Sequence, residues 1–351
     1  MAQPKTRLAG YAALLDSYNL EAIPNWHRSL VASGGTHRIR DEDGLKEETY
    51  PAKYWPGDSP GGQLEFALKY DGTNLAILAT LFEVMPEEDL LEYVRSKPTG
   101  KYARRAWFLF EFLTGRPLPL EDVQQGNYVD LLDADRYYTV SNPKQVRRQR
   151  INDNSLGNRS FCPTVRRTVT LAEFEAADLP ARCRKVVEPY PPELLKRALN
   201  YLYSKETKSS FEIEKDRPSP NRTDRFVALL QSAETEDYCN NSHLVELQNR
   251  IVDKRFAEGQ YRDTQNYVGE SVSWQNEKVH FAGPQPGDLP SMMEGFIEAH
   301  QHLEDSQAPA VLHAATMAFG FVFLHPFEDG NGRIHRFLIH NILARRGFTP
   351  E

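Results

Sequence analysis

The chain has 351 residues, 40% hydrophobic and 26% charged, which is the length of about two domains and the balance of a globular protein. Its net charge of -7 gives no electrostatic case for wrapping nucleic acid over a broad surface. The scattered cysteines Cys162, Cys183 and Cys239 argue against a disulfide framework or zinc cluster and fit a reducing compartment. No signal-peptide core follows Met1. The longest apolar run, Val311 to Leu324, is broken by His313 and Thr316 and is shorter than the ~20 residues a membrane span needs, so a cytoplasmic protein is expected.

Residues 6–34 read as short helices broken at Pro24 and Gly34, and His37 to Glu48 as an exposed charged loop. After a Gly/Pro-rich stretch containing Trp55, apolar spacing from Leu64 to Phe82 predicts a helix that Gly72 and Asn74 can split. A further helix is expected from Tyr102 to Leu113, stopped at Gly115, and a short strand at Tyr137 to Val140. The basic cluster Arg147, Arg148 and Arg150 reads as a solvated face. Pro180, Pro189, Pro191 and Pro192 mark a boundary between a mostly helical N-terminal region, 1–185, with no assigned function, and a second domain, 186–351.

In that second domain Leu194, Leu195, Ala198, Leu199 and Leu202 have helical spacing, and a polar segment about 205–216 follows, stopped by Pro218. Helices are expected near Phe226 to Leu230 and His243 to Glu258. The stretches Gln265 to Gly269 and Val279 to Gly283 flank a polar segment and suggest a two-stranded flap at about 263–283. Helical periodicity returns at Met292, Phe296, Ile297 and His300.

The chemistry concentrates in His325-Pro-Phe-Glu-Asp-Gly-Asn-Gly-Arg-Ile-His-Arg336, a tight polar loop between two helical segments. A helix beginning near Gly332 would turn its N-terminal N–H groups into the loop, where they attract phosphate. Gly330 and Gly332 allow close backbone approach, and Asn331 can add side-chain donors. Arg333 and Arg336, three residues apart, share a face and suit phosphate oxygens. Asp329 stands where Mg²⁺ would be shared with phosphates, and His325 can take a proton from a hydroxyl. Phe327 reads as an apolar anchor. The chemistry implied is attack by a hydroxyl on a nucleotide phosphate.

This twelve-residue stretch resembles the signature of the Fic family, with every defining position present. Tyr261-Arg-Asp-Thr-Gln-Asn-Tyr-Val-Gly269 is similar to the segment preceding the motif in many members. The resemblance covers roughly residues 192–351. It implies a mainly α protein: an all-α Fic core with a small β-hairpin flap that docks the target through Gln265, Val268, Gly269, Val279 and Phe281. It also implies AMP transfer from ATP, with Mg²⁺, to a Ser, Thr or Tyr hydroxyl of a target protein or of the chain itself. His325 would be the base, Asp329 the metal ligand, Gly330, Asn331 and Gly332 the anion hole, and Arg333 and Arg336 the phosphate clamps. Gly332 favours AMP transfer, because the phosphotransferase branch of the family carries Lys at this position. Trp274, near the flap tip, is a further candidate contact. Family members continue with more helices after the motif, so an extension beyond Glu351 is expected.

Ser210-Phe-Glu-Ile-Glu214 is similar to the family's inhibitory motif, which would place a carboxylate on Arg336 and deny that residue to the outer phosphate. Lys215 departs from the usual Gly or Asn at the next position. Removal of AMP by the same site, a nucleotide- or DNA-binding regulator, and a donor other than ATP all stay open, as do the target and the oligomeric state.

Overall fold

The computed structural model describes residues 6–34, 36–213, 219–273, 276–306 and 308–348 and divides the chain into two compact units. One is Met1–Asp133 with Pro143–Asn154, the other Ala134–Asn142 with Ser155–Glu351. The chain therefore divides near residue 154, not at 185. Of the prolines that suggested a boundary there, Pro180 lies in the first turn of one helix and Pro191 and Pro192 at the start of the next, where a missing N–H costs nothing, and Pro189 is in the turn between them. The fold is mainly α, as expected, with small sheets.

The first unit runs β1 (Thr6–Ala9), α1 (Tyr11–Ser17), β2 (His27–Ala32), β3 (Arg38–Glu42), β4 (Leu45–Pro51), α2 (Pro60–Phe66), α3 (Leu75–Val84), α4 (Glu87–Ser96), α5 (Lys101–Thr114), β5 (Val129–Asp130), β6 (Lys144–Val146) and β7 (Ile151–Asp153). Strands β1 to β4 form a sheet in the order β1-β2-β4-β3, and β5 to β7 one in the order β5-β7-β6. Helices were expected over 6–34 and a loop over 37–48, so most of the first sheet is a correction. All five residues of β3 are exposed, and without alternating apolar residues it carries no strand periodicity. A usable signal was Asp43-Gly44, both at positive φ, joining β3 to β4 as Asp-Gly hairpin turns do. The split helix appears as expected, with Gly72 at φ 94° and Asn74 capping α3 through the Ile77 N–H. Tyr137 makes only an isolated bridge to Arg166.

Of the arginine cluster, Arg147 is exposed as expected, but Arg148 and Arg150 are structural. Arg148 pairs with Glu111 at 3.0 Å and donates to the carbonyls of Leu118 and Leu120. Arg150 donates to those of Val123, Gln124 and Gly126. Two guanidinium groups thus satisfy the backbone acceptors of an otherwise irregular segment.

The second unit comprises α6 (Val169–Ala176), α7 (Leu179–Val187), α8 (Pro192–Ile213), α9 (Pro220–Gln231), α10 (Asn241–Ile251), β8 (Tyr267–Ser273), β9 (Asn276–Ala282), α11 (Leu289–Glu304), α12 (Ala310–Leu324) and α13 (Asn331–Arg345). Its core is an aromatic and aliphatic cluster that includes Leu247, Phe296, Phe321, Phe327 and Phe337. Each such side chain contributes roughly 1.5–3 kcal/mol on burial. Near the far end of α13, buried Asn341 donates to the carbonyls of Ala233 and Glu236 and ties that helix to the turn after α9. The packed pair α12–α13 holds the intervening loop 325–330 between two fixed helix ends. No helix among the described residues is long and apolar enough to cross a membrane.

Candidate active site

His325 ends α12 in a left-handed conformation, φ 49° and ψ 58°, its N–H still donating to the Phe321 carbonyl at 2.9 Å. Its Nδ1 lies 3.2 Å from the Val322 carbonyl oxygen. A carbonyl can only accept, so Nδ1 carries the proton and Nε2 is the basic nitrogen. The turn that follows is pinned by Phe327, which is fully buried and packs on Tyr261 and Phe321.

Asn331, expected to offer side-chain donors to an anion, does something else. Its Oδ1 accepts from the Phe327 N–H at 3.1 Å and its Nδ2 donates to the Phe327 carbonyl at 2.6 Å. The amide is used to close the loop, and α13 begins at this residue, so its main-chain N–H belongs to the helix start. Gly330 caps that start at φ 94°, where a Cβ would come within 2.8 Å of Val252. Gly332 is the second residue of the helix.

Asp329 Oδ1 accepts from the Gly330 N–H at 2.7 Å and from Arg333 Nη2 at 2.8 Å. The carboxylate is about a third exposed, whereas Arg333 is buried and lies 5.1 Å over the Phe211 ring. A single accessible carboxylate at a phosphate-attracting helix end fits Mg²⁺, which takes one or two carboxylates and completes its shell with phosphate oxygens and water. Arg336 donates through Nε to Ser210 Oγ at 2.8 Å and through Nη2 to the Ser210 carbonyl at 3.2 Å. Arg333 and Arg336 thus meet adjacent residues of α8, Phe211 and Ser210. One helical turn on, His340 pairs with Glu206 at 2.7 Å, and this contact holds the Glu206 carboxyl below its ordinary pKa. Glu214 and Lys215 lie outside the described residues.

The flap is the hairpin β8–β9, pairing Val268 with Phe281 and Gly269 with Val279. Val268 and Val279 are exposed, and Phe281 packs on Phe323 of α12. Gln265 bridges its two roots, donating to the carbonyls of Asn266 and Gly283. Trp274 lies outside the described residues.

Four residues that the sequence did not single out hold the loop. Gln248, buried on α10, donates to the carbonyls of Phe256 and Asp329 and to Glu258. Glu258 accepts from the Glu328 N–H at 3.0 Å; burial, with Glu328 and Asp329 nearby, raises its pKa. Arg262 and Asn266 both donate to the His325 carbonyl, at 2.8 and 3.3 Å. Arg262 stood inside a stretch already noted as similar to the family. Asn266 stood there too, whereas Gln248 and Glu258 carry no local signal, because their partners in the loop lie 81 and 70 residues away in sequence.

A polarised base, an accessible carboxylate and two guanidinium groups gather at one helix N-terminus, an arrangement chemically suited to phosphate. Residues 238–343 match the Fic/DOC family, so the second unit carries a domain of that family. The chain is 33% identical over 119 residues to the protein adenylyltransferase Fic of Culex quinquefasciatus, covering 32% of this chain and 21% of that protein. With the same-named protein of Nematostella vectensis it is 34% identical over 113 residues, covering 30% and 23%. The chain thus spans about a fifth of the length of these curated relatives. Among solved structures, a Fic-domain-containing signaling protein from Bacteroides thetaiotaomicron aligns at 22% identity and a TM-score of 0.38, over 48% of this chain and 73% of that one.

Proposed function

We propose that this chain is a protein adenylyltransferase that moves AMP from ATP to a Ser, Thr or Tyr hydroxyl. The observation that carries the reading is the fixed tautomer of His325 at the mouth of the α13 N-terminus. Nε2 takes the hydroxyl proton while the hydroxyl oxygen bonds to the α-phosphorus. The bond from that phosphorus to the bridging oxygen breaks, and pyrophosphate leaves. The helix N-terminus and Arg333 stabilise charge on the phosphates, and Asp329 would hold Mg²⁺, which when bound neutralises phosphate charge. The outer edges of the flap suit main-chain pairing with an extended acceptor segment.

The same reading includes a brake. Ser210 occupies Arg336, and Glu206 and His340 form a second rung between the same two helices, four residues away on each. In sequence Glu214 continues the series 206, 210, 214 on α8's spacing, which supports it as the carboxylate that keeps Arg336 from the outer phosphate. Glu214→Gly should raise incorporation of labelled AMP at least tenfold, and His325→Ala in that background should abolish it. No gain from the first change would remove the brake, and activity surviving the second would remove His325 as the base.

A further inference from the structure

His325 sits in a backbone region that a non-glycine residue enters only where its surroundings impose it. Those surroundings come from one short segment at the root of the flap. Three consecutive carbonyls of the catalytic loop are taken by residues 262–266. The His325 carbonyl accepts from Arg262 Nε at 2.8 Å and from Asn266 Nδ2 at 3.3 Å. The Pro326 carbonyl accepts from the Arg262 N–H at 2.9 Å, and the Phe327 carbonyl from Asn266 Nδ2 at 3.2 Å.

These two side chains also hold both ends of the flap. Arg262 is buried, and its remaining nitrogens donate to the carbonyl of Thr264, on the entering side, and of Pro284, on the leaving side, each at 2.7 Å. The Gly283 N–H closes onto the Asn266 carbonyl at 3.2 Å. A Cβ on Gly283 would fall 2.7 Å from Asn266 Oδ1 and 2.9 Å from Arg262 Nη2, so the leaving strand is pressed against both residues. Arg262 meets backbone carbonyls with a rigid fork of donors, a geometry that allows little drift.

We propose that Arg262 and Asn266 are positioning residues for the base: they impose the left-handed turn at His325 and couple its placement to the seating of the flap. The inference rests on reading His325 as the base. An acceptor strand that steadies the flap then steadies the imidazole, so the base is best placed when a hydroxyl is present to attack. Displacing a base by about 1 Å can cost on the order of 100-fold in rate, while phosphate binding at α13 is made by other residues.

The test uses the Glu214→Gly protein as parent. Asn266→Leu keeps the branching of the side chain and lacks the donor; Asn266→Asp keeps size and polarity and also lacks it. Both should lower kcat for AMP transfer by roughly 10- to 50-fold, with KM for ATP and the melting temperature near those of the parent. A second readout needs no activity. The rate at which diethylpyrocarbonate modifies His325, followed by peptide mass spectrometry without ATP, should change at least threefold, while that of His37 stays constant. An unchanged kcat with unchanged His325 modification overturns the proposal, as does a rise in KM for ATP at constant kcat. If the parent itself transfers no AMP, the adenylyltransferase reading falls, and the modification rates alone decide whether these residues position His325.

Discussion

At the scale of single residues, the site works by giving its polar groups fixed partners. Val322 fixes the His325 tautomer, Asp329 holds Arg333, and Ser210 holds Arg336. Asn331 shows how little latitude remains, since both ends of its amide are used on Phe327. Asn331→Ala leaves the buried Phe327 N–H without this acceptor and its carbonyl with Asn266 alone, so unfolding free energy should drop by about 1–3 kcal/mol. Guanidinium denaturation measures this, and an unchanged midpoint would show that the amide is not the loop's staple. The charged residues of the loop were legible in sequence because they lie within twelve positions. The real task of Asn331 was not, because an amide reads equally well as a donor to a ligand or to its own turn.

At the scale of elements, the site is a relation between α8 and α13. The rungs Ser210–Arg336 and Glu206–His340 are each spaced by four residues on both helices. The second rung is a partly exposed ion pair, worth about 0.2–1 kcal/mol. His340→Ala should therefore raise basal AMP incorporation only about 1.5- to 5-fold, well below the effect of Glu214→Gly, and should add little once Glu214 is replaced. Incorporation rates of the two single variants and the double variant check this. An effect equal to that of Glu214→Gly would mean that the His340 contact, not Glu214, is the principal restraint. Helices with strong apolar periodicity, and the hairpin flanked by Gly and Pro, could be located from sequence. The exposed strand β3 could not, because its pairing with β4 is stabilised by backbone hydrogen bonds and charged neighbours rather than a buried face.

At the scale of the whole molecule, the second unit stores an acid sensitivity away from the site. His313 is fully buried, its Nδ1 facing Arg346 at 3.1 Å and its Nε2 facing His300 Nδ1 at 3.0 Å. Arg346 can only donate, so His313 is neutral with its proton on Nε2. Burial first, then His300 and Arg346, push its pKa down to about 3. The folded value lies below the unfolded one, so below pH 6.5 the unfolded chain binds the extra proton and stability falls with acidification. The loss should approach about 1.4 kcal/mol per pH unit between pH 6 and 4, and His313→Asn should flatten it. Denaturation midpoints across that range measure the slope; an equal slope in both proteins would contradict the assignment. The division near residue 154 was hidden from the sequence. Residues 134–142 and 143–154 belong to different units, and a chain that crosses three times leaves no single linker to see.

The central claim is that Arg336 must be released for AMP transfer by His325. Intact-mass and peptide mass spectrometry of the wild-type chain and of Glu214→Gly, each incubated with ATP and Mg²⁺, tests it most directly. Covalent AMP is expected on hydroxyl side chains of the Glu214→Gly protein, little on the wild type, and none once His325 is also replaced by Ala. Equal modification of the wild type and Glu214→Gly, or modification that persists without His325, would contradict it.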